Sequence, residues 1–300
     1  MTPSAPVPTP PTASGDTKLG IILRIGFFIF TAYLASNFLL PILYPLFGLQ
    51  IAGTLGLAAA GLGANLLTLA IFDRRSFTDI GLHLVPASGL HLIFGIVLGA
   101  TSAALSLALP LLEGTAHLIL KPNAGLPWPT LAFYLTTLLL AAAGEEMIFH
   151  GYAFQFLIEK IGAYASLLPV AVIFGLAHSS NPHATALSVF NTSLWGALLG
   201  YAFLRSRDLW LPIGIHFGWN AVLPLFGVNL SGITIEVSRY FYKWDSSPLW
   251  SGGAYGPEGG LLTTFFGALL FYVLYRMPLR PQHADIAQSL NEPDLPDLDV

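Results

Sequence analysis

Of 300 residues, 54% are hydrophobic and only 9% are charged, where a soluble globular domain carries about 25% charged residues; a mean hydropathy of +0.69 calls for a bilayer as solvent. No cysteine is present, which excludes disulfides, thiolate metal sites and a cysteine nucleophile. The net charge of −4 is uneven, with Asp285, Glu292, Asp294, Asp297 and Asp299 crowding the C-terminus, and no nucleic-acid partner is expected.

Met1 to Asp16 is rich in Pro, Thr, Ser and Ala and holds no basic residue. It lacks the positive start of a secretory signal, so residues 1–18 read as a disordered leader. Eight apolar runs follow, near 19–48, 51–72, 89–112, 129–157, 163–178, 186–204, 209–227 and 260–277. Crossing about 30 Å of hydrocarbon takes about 20 residues. The sequence therefore predicts an all-α fold, a polytopic transmembrane helical bundle of about eight helices. The first run is too long for a signal's apolar core and is expected to stay as an anchor. The fifth is short, so its end is expected to face a cavity or polar site rather than lipid. Gly95 with Gly99, Gly196 with Gly200, and Gly53, Gly56, Gly61 and Gly63 give the small-residue spacing that lets helices approach closely.

The expected organisation is N-terminal transmembrane helices over 19–128, a catalytic core over 129–226, an extracytoplasmic loop and last helix over 227–280, and an acidic tail over 281–300. The long 227–259 connection suggests no chemical role. Lys18, Arg24, Arg74, Arg75, Lys160, Arg205, Arg207, Arg276 and Arg280 flank one side of the spans, and Lys121, Arg239 and Lys243 the other. This bias puts both termini in the cytoplasm, and a bacterial inner membrane is the expected location.

Charged side chains inside a bilayer cost about 2.5–3.5 kcal/mol or more and persist where they act. Glu145 and Glu146 are the acids that lie well inside a predicted span, after the apolar run Leu138 to Ala143. Phe174 and His178 share a helix face at i, i+4, as do His216 and Asn220. At about 1.5 Å per residue, Glu145, His178 and Asn220 lie about 17–22 Å from the cytoplasmic end and His216 about 10–12 Å. Polar groups in lipid need partners, and these five residues on three spans can supply them to one another.

The stretch Gly144-Glu145-Glu146-Met147-Ile148-Phe149-His150-Gly151-Tyr152 resembles the first motif of the CAAX prenyl protease and bacteriocin-processing family of intramembrane proteases. That motif is two glutamates, three residues, then arginine. Phe174 to His178 is similar to the second motif and His216 to Asn220 to the third, so the resemblance covers about 129–226. His150 stands where the family has arginine, and keeps the i, i+4 relation to Glu146.

The resemblance implies an intramembrane endopeptidase acting on a peptide or protein substrate in the lipid bilayer, possible CAAX-type processing included. Glu145 would activate water with help from His178. His216 and Asn220 would stabilise the oxyanion, and Glu146 would position the site through His150, with Phe174 in support. Glu145, His178 and His216 offer a zinc site with one open position. The His-Glu-x-x-His helix of soluble zinc proteases is absent, and a metal-free, glutamate-activated water is the preferred reading. Two rival readings stand beside it. One is a catalytically inactive membrane scaffold or immunity-type protein; the other is a proton-linked transporter, for which no internal repeat speaks.

Overall fold

The computed structural model describes residues 17–122 and 128–291. The expected leader up to Asp16 and the acidic residues from Glu292 onward lie outside the described residues. The chain is mostly helical. Four helical runs are long and apolar enough to cross a membrane: Lys18–Asp73, Pro86–Leu112, Trp128–Ile161 and Ala186–Ser206. Ala163–Ala177 and Leu261–Arg276 are shorter apolar helices. The protein is a helical integral membrane protein.

Helix α1 (Lys18–Thr68) is interrupted at Gly48, whose φ of 74° is left-handed. A straight helix would separate Ser36 from Gly56 by about 30 Å. Instead a Cβ on Gly56 would sit 3.7 Å from the Ser36 carbonyl, and Arg24 pairs with Asp73 at 2.8 Å. The chain turns back at Gly48, and the runs expected at 19–48 and 51–72 are the two arms of one hairpin.

Helix α2 (Pro86–Leu112) packs along α7 (Trp210–Leu225). Gly95 and Gly99 face Gly214 and Gly218, and a Cβ at any of the four would fall within 2.4 Å of a carbonyl on the opposite helix. The contact is therefore backbone on backbone, the use of small residues the spacing predicted for Gly95 and Gly99.

The run expected over 129–157 is two helices, α3 (Trp128–Phe149) and α4 (Tyr152–Ile161). The cause lies far away in sequence. Asn65, buried on the second arm of α1, donates to the Met147 carbonyl at 2.8 Å and accepts from the Tyr152 N–H at 2.8 Å. Its side chain thus supplies partners to backbone groups freed at the break. A Cβ on Gly151 would lie 2.6 Å from Asn65 Oδ1, so glycine admits the amide.

Helices α5 (Ala163–Ala177), α6 (Ala186–Ser206) and α9 (Leu261–Arg276), with the short α8 (Pro248–Ser251), complete the bundle. One departure from an all-α chain is a two-stranded ribbon in the connections. There β1 (Ala116–Leu120) runs antiparallel to β2 (Tyr240–Trp244), with Ala116 opposite Trp244. The 227–259 connection also folds back onto the bundle. Gly232 lies against the Pro182 carbonyl, and Asn191 of α6 donates to the carbonyls of Glu258 at 2.8 Å and Gly260 at 2.9 Å. At the other end, the described part of the expected acidic tail is packed. Ala284, Ala287 and Leu290 are buried, and Ser289 N–H donates to Glu159 at 2.9 Å.

Gly99→Val should cost at least about 3 kcal/mol through overpacking against Ile215, read as loss of monodisperse protein in detergent on heating. Gly63→Val meets open space and should behave as wild type.

Candidate active site

The last turns of α3 carry Glu145 and Glu146. Adjacent helical residues point about 100° apart, so the two carboxylates enter different surroundings. Glu146 is fully buried. Its Oε2 lies 2.7 Å from His150 Nδ1 and its Oε1 2.8 Å from His216 Nδ1. An ionised carboxylate only accepts hydrogen bonds, so both imidazoles donate through Nδ1–H. Glu146 therefore joins the end of α3 to α7.

His178 follows the last residue of α5. Its Nδ1 donates to the Phe174 carbonyl at 2.8 Å, which leaves Nε2 as the outward nitrogen. That atom lies 3.6 Å from Glu145 Oε2, and His216 Nε2 lies 3.9 Å from the same oxygen. Glu145 Oε2 is shielded and has no hydrogen-bond partner among the described residues. Two nitrogens and one carboxylate oxygen thus converge at separations that a proton-bearing group can bridge.

Phe174 does more than share a face with His178. Its ring centroid lies 4.9 Å from that of His178, 6.1 Å from His216 and 6.5 Å from His150, so one phenyl packs against all three imidazoles. Gly196 makes room for it, since a Cβ there would sit 2.9 Å from Phe174 Cβ. Gly200 stands beside His150 in the same manner. This pair of small residues, expected to serve helix packing, shapes the site as well.

His178, His216 and Asn220 line a cavity of about 30 Å³, enough for a water or two. Asn220 sits half-buried one turn beyond His216. All seven residues singled out in the sequence are thereby placed: six form one contiguous group, and Asn220 faces the cavity beside it. Sequence reasoning missed Trp219, Asn191, Ser231 and Glu258, which line the same cavity. Asn191 carried a signal, being a buried amide inside the apolar run 186–204. Ser231 and Glu258 carried none, because they sit in a connection without periodicity.

A three-ligand zinc centre needs donors about 3.3 Å apart around a metal at about 2.0–2.1 Å. Among the described residues, the group with three donor atoms mutually within 4.8 Å is Asp79, His83 and Asp285. Glu145, His178 and His216 are more widely spread than that. In this arrangement they do not fit the zinc site that the sequence left open.

Residues 127–222 match the model of the family described as Type II CAAX prenyl endopeptidase Rce1-like. The segment is similar to that family over those residues. No curated protein and no solved structure matches the chain. The matched stretch spans about a third of the 300 residues and contains Glu145, Glu146, His150, Phe174, His178, His216 and Asn220. The α1 hairpin and the 227–260 connection lie outside the matched residues. The buried carboxylate–imidazole set lies within the matched residues.

Truncating Glu146 to alanine leaves His150 and His216 without their acceptor in a buried setting. The expected loss is about 3–5 kcal/mol, seen as a lowered thermal unfolding midpoint in detergent. Glu146→Gln, which keeps one acceptor oxygen, should lose less.

Proposed function

We propose that this protein is an intramembrane endopeptidase in which Glu145 activates water for attack on a peptide carbonyl. The observation that carries this reading is the approach of His178 Nε2 and His216 Nε2 to one oxygen of Glu145, at 3.6 and 3.9 Å. Glu145 takes a proton from the water as its oxygen bonds to the carbonyl carbon, then passes that proton to the leaving amine. His178, its Nδ1 tied to Phe174, orients the water through Nε2. The oxyanion accepts from the Asn220 side-chain amide and from His216 Nε2–H. A good donor of that kind lowers the barrier by about 3–4 kcal/mol.

Glu146 orients His216 as a triad aspartate orients its histidine, and balances the charge of the ring when both nitrogens carry protons. The sequence expectation gave Glu146 a link to His150 alone; the contact to His216 gives it a direct role in aiming a reactive group. His150 in the arginine position still reaches Glu146 at 2.7 Å. That contact favours an active enzyme over an inactive scaffold of the same fold.

The substrate is a peptide bond of a membrane-associated peptide or protein, with CAAX-type chains among the candidates. Counting the two arms of α1 separately with α2, α3, α5, α6, α7 and α9 gives eight crossings. Both termini then lie in the cytoplasm by the Lys and Arg bias, and a bacterial inner membrane suits the composition.

Glu145→Gln and His178→Ala should each reduce peptide cleavage by at least about 1,000-fold, a loss typical of a missing acid–base group with its coupled partners. For Glu145→Gln the unfolding midpoint should stay near that of wild type, since Glu145 Oε2 has no hydrogen bond to lose. Mass-spectrometric product detection from purified protein in liposomes checks this. A folded Glu145→Gln protein that still cleaves would sink the mechanism.

A further inference from the structure

The cavity that His178, His216 and Asn220 line adjoins Glu145, because both rings also approach one oxygen of that residue at 3.6 and 3.9 Å. At about 30 Å³ it takes a water or two and nothing larger. Part of its wall comes from outside the residues that match the family: Ser231 and Glu258, both in the connection between α7 and α9. Glu258 Oε2 accepts from the Ser231 N–H and from Ser231 Oγ at 2.9 Å. Thr192, also in the wall, donates its hydroxyl to the Ser188 carbonyl at 2.8 Å. Each hydroxyl has thus spent its one proton and keeps lone pairs to offer.

Tyr255, from the same connection, is only 1% exposed. Its hydroxyl is shielded and has no hydrogen-bond partner among the described residues. The polar groups around it are Ser231, Thr192, Asn181 and the Glu258 carboxylate. A buried donor left unpaired costs more than an ordinary hydrogen bond gains. A donor without an acceptor, set beside acceptors with spare lone pairs, is the arrangement that an internal water completes.

We propose that the cavity is a water-holding site that supplies hydrolytic water to Glu145, with Tyr255 and Glu258 as its positioning residues. The inference rests on the endopeptidase reading above and names where its second reactant is kept. Each turnover consumes one water, and the hydrocarbon around the bundle supplies none. A molecule stored against His178 and His216 replaces the spent one over a short path. No covalent step is added. Tyr255 donates a hydrogen bond to the stored water and Glu258 accepts one from it, and neither residue reacts.

The test uses the full chain in liposomes and has two arms. X-ray radiolysis turns ordered internal water into hydroxyl radicals that mark the side chains beside it. Tyr255 should be labelled several times faster than Phe203, which is fully buried in apolar packing, after correction for the reactivity of each ring. The second arm is cleavage of a library of apolar peptides. Tyr255→Phe keeps the ring and loses a hydroxyl that no protein group partners; Glu258→Gln keeps an oxygen for Ser231. Each should lower kcat about three- to tenfold, the worth of one hydrogen bond, with KM within about twofold of wild type. The double variant should fall no further than the less active single, because both lose the same water. Four outcomes overturn the inference and leave the endopeptidase reading standing: Tyr255 labelled no faster than Phe203, unchanged kcat in folded Tyr255→Phe, a loss carried by KM, or losses that multiply in the double variant. A folded wild type that cleaves no peptide in the library overturns the reading beneath it. The labelling arm needs only wild type, so it decides the matter even where the variants fail to fold.

Discussion

The carboxylate of Glu146 sits in full burial between two imidazoles, and the placement of the site hangs on that bridge. An isolated carboxylate in such surroundings costs several kcal/mol, and removing one partner of a buried pair is more damaging than never having built it. The bridge is satisfied only if α3 ends beside α7 at hydrogen-bond distance. That fixes in turn how closely α7 must lie against its neighbours. The glycines that bring α2 and α7 into backbone contact, and Gly196 and Gly200 around Phe174 and His150, are the spatial conditions under which His150 and His216 both reach Glu146. Packing and electrostatics here are one requirement.

The adjacent Glu145 shows what the bridge is for. Two neighbouring residues of the same type share a helix turn, yet one carboxylate has an N–H donor on each oxygen and the other has an oxygen with none. Acid and base roles follow from pairs of like groups held in unlike environments. Glu146 spends its lone pairs on orientation. In the mechanism we propose, Glu145 keeps one for a proton from water, with the outward nitrogens of His178 and His216 near it. Tying each ring by Nδ1 is what leaves Nε2 outward in both cases.

Much of this was legible in the sequence because it is local. The apolar runs, the i, i+4 pairs Phe174–His178 and His216–Asn220, and the pair of glutamates inside a span need only short-range spacing and the expense of charge in lipid. The turn at Gly48 was legible in part, since two runs were expected on either side of it. What stayed hidden depends on partners far along the chain. Asn65 breaks the run at Gly151 from more than 80 positions away, and no periodicity within 129–157 announces it. Glu146 was assigned to His150, its neighbour on the helix, while its second partner His216 lies 70 positions on. The ribbon between β1 and β2 and the packing of Leu290 are of the same kind.

The 227–260 connection explains how a polar cavity and a short helix coexist. At 15 residues, α5 rises about 22 Å, less than the ~30 Å of a hydrocarbon layer. The chain from His178 to Thr185 then runs without regular helix before α6 begins. Non-helical backbone at that depth is tolerable only where protein covers it or a wet cavity abuts it. Both conditions are met by one segment: Gly232 covers Pro182, and Ser231 and Glu258 turn polar groups into the cavity that His178 and His216 line. Asn191 in turn holds that segment by two carbonyls and accepts from Thr264 at 2.6 Å. The shortness of α5 thus leaves space for a polar cavity, and the connection that fills the rest of it contributes Ser231 and Glu258 to its wall.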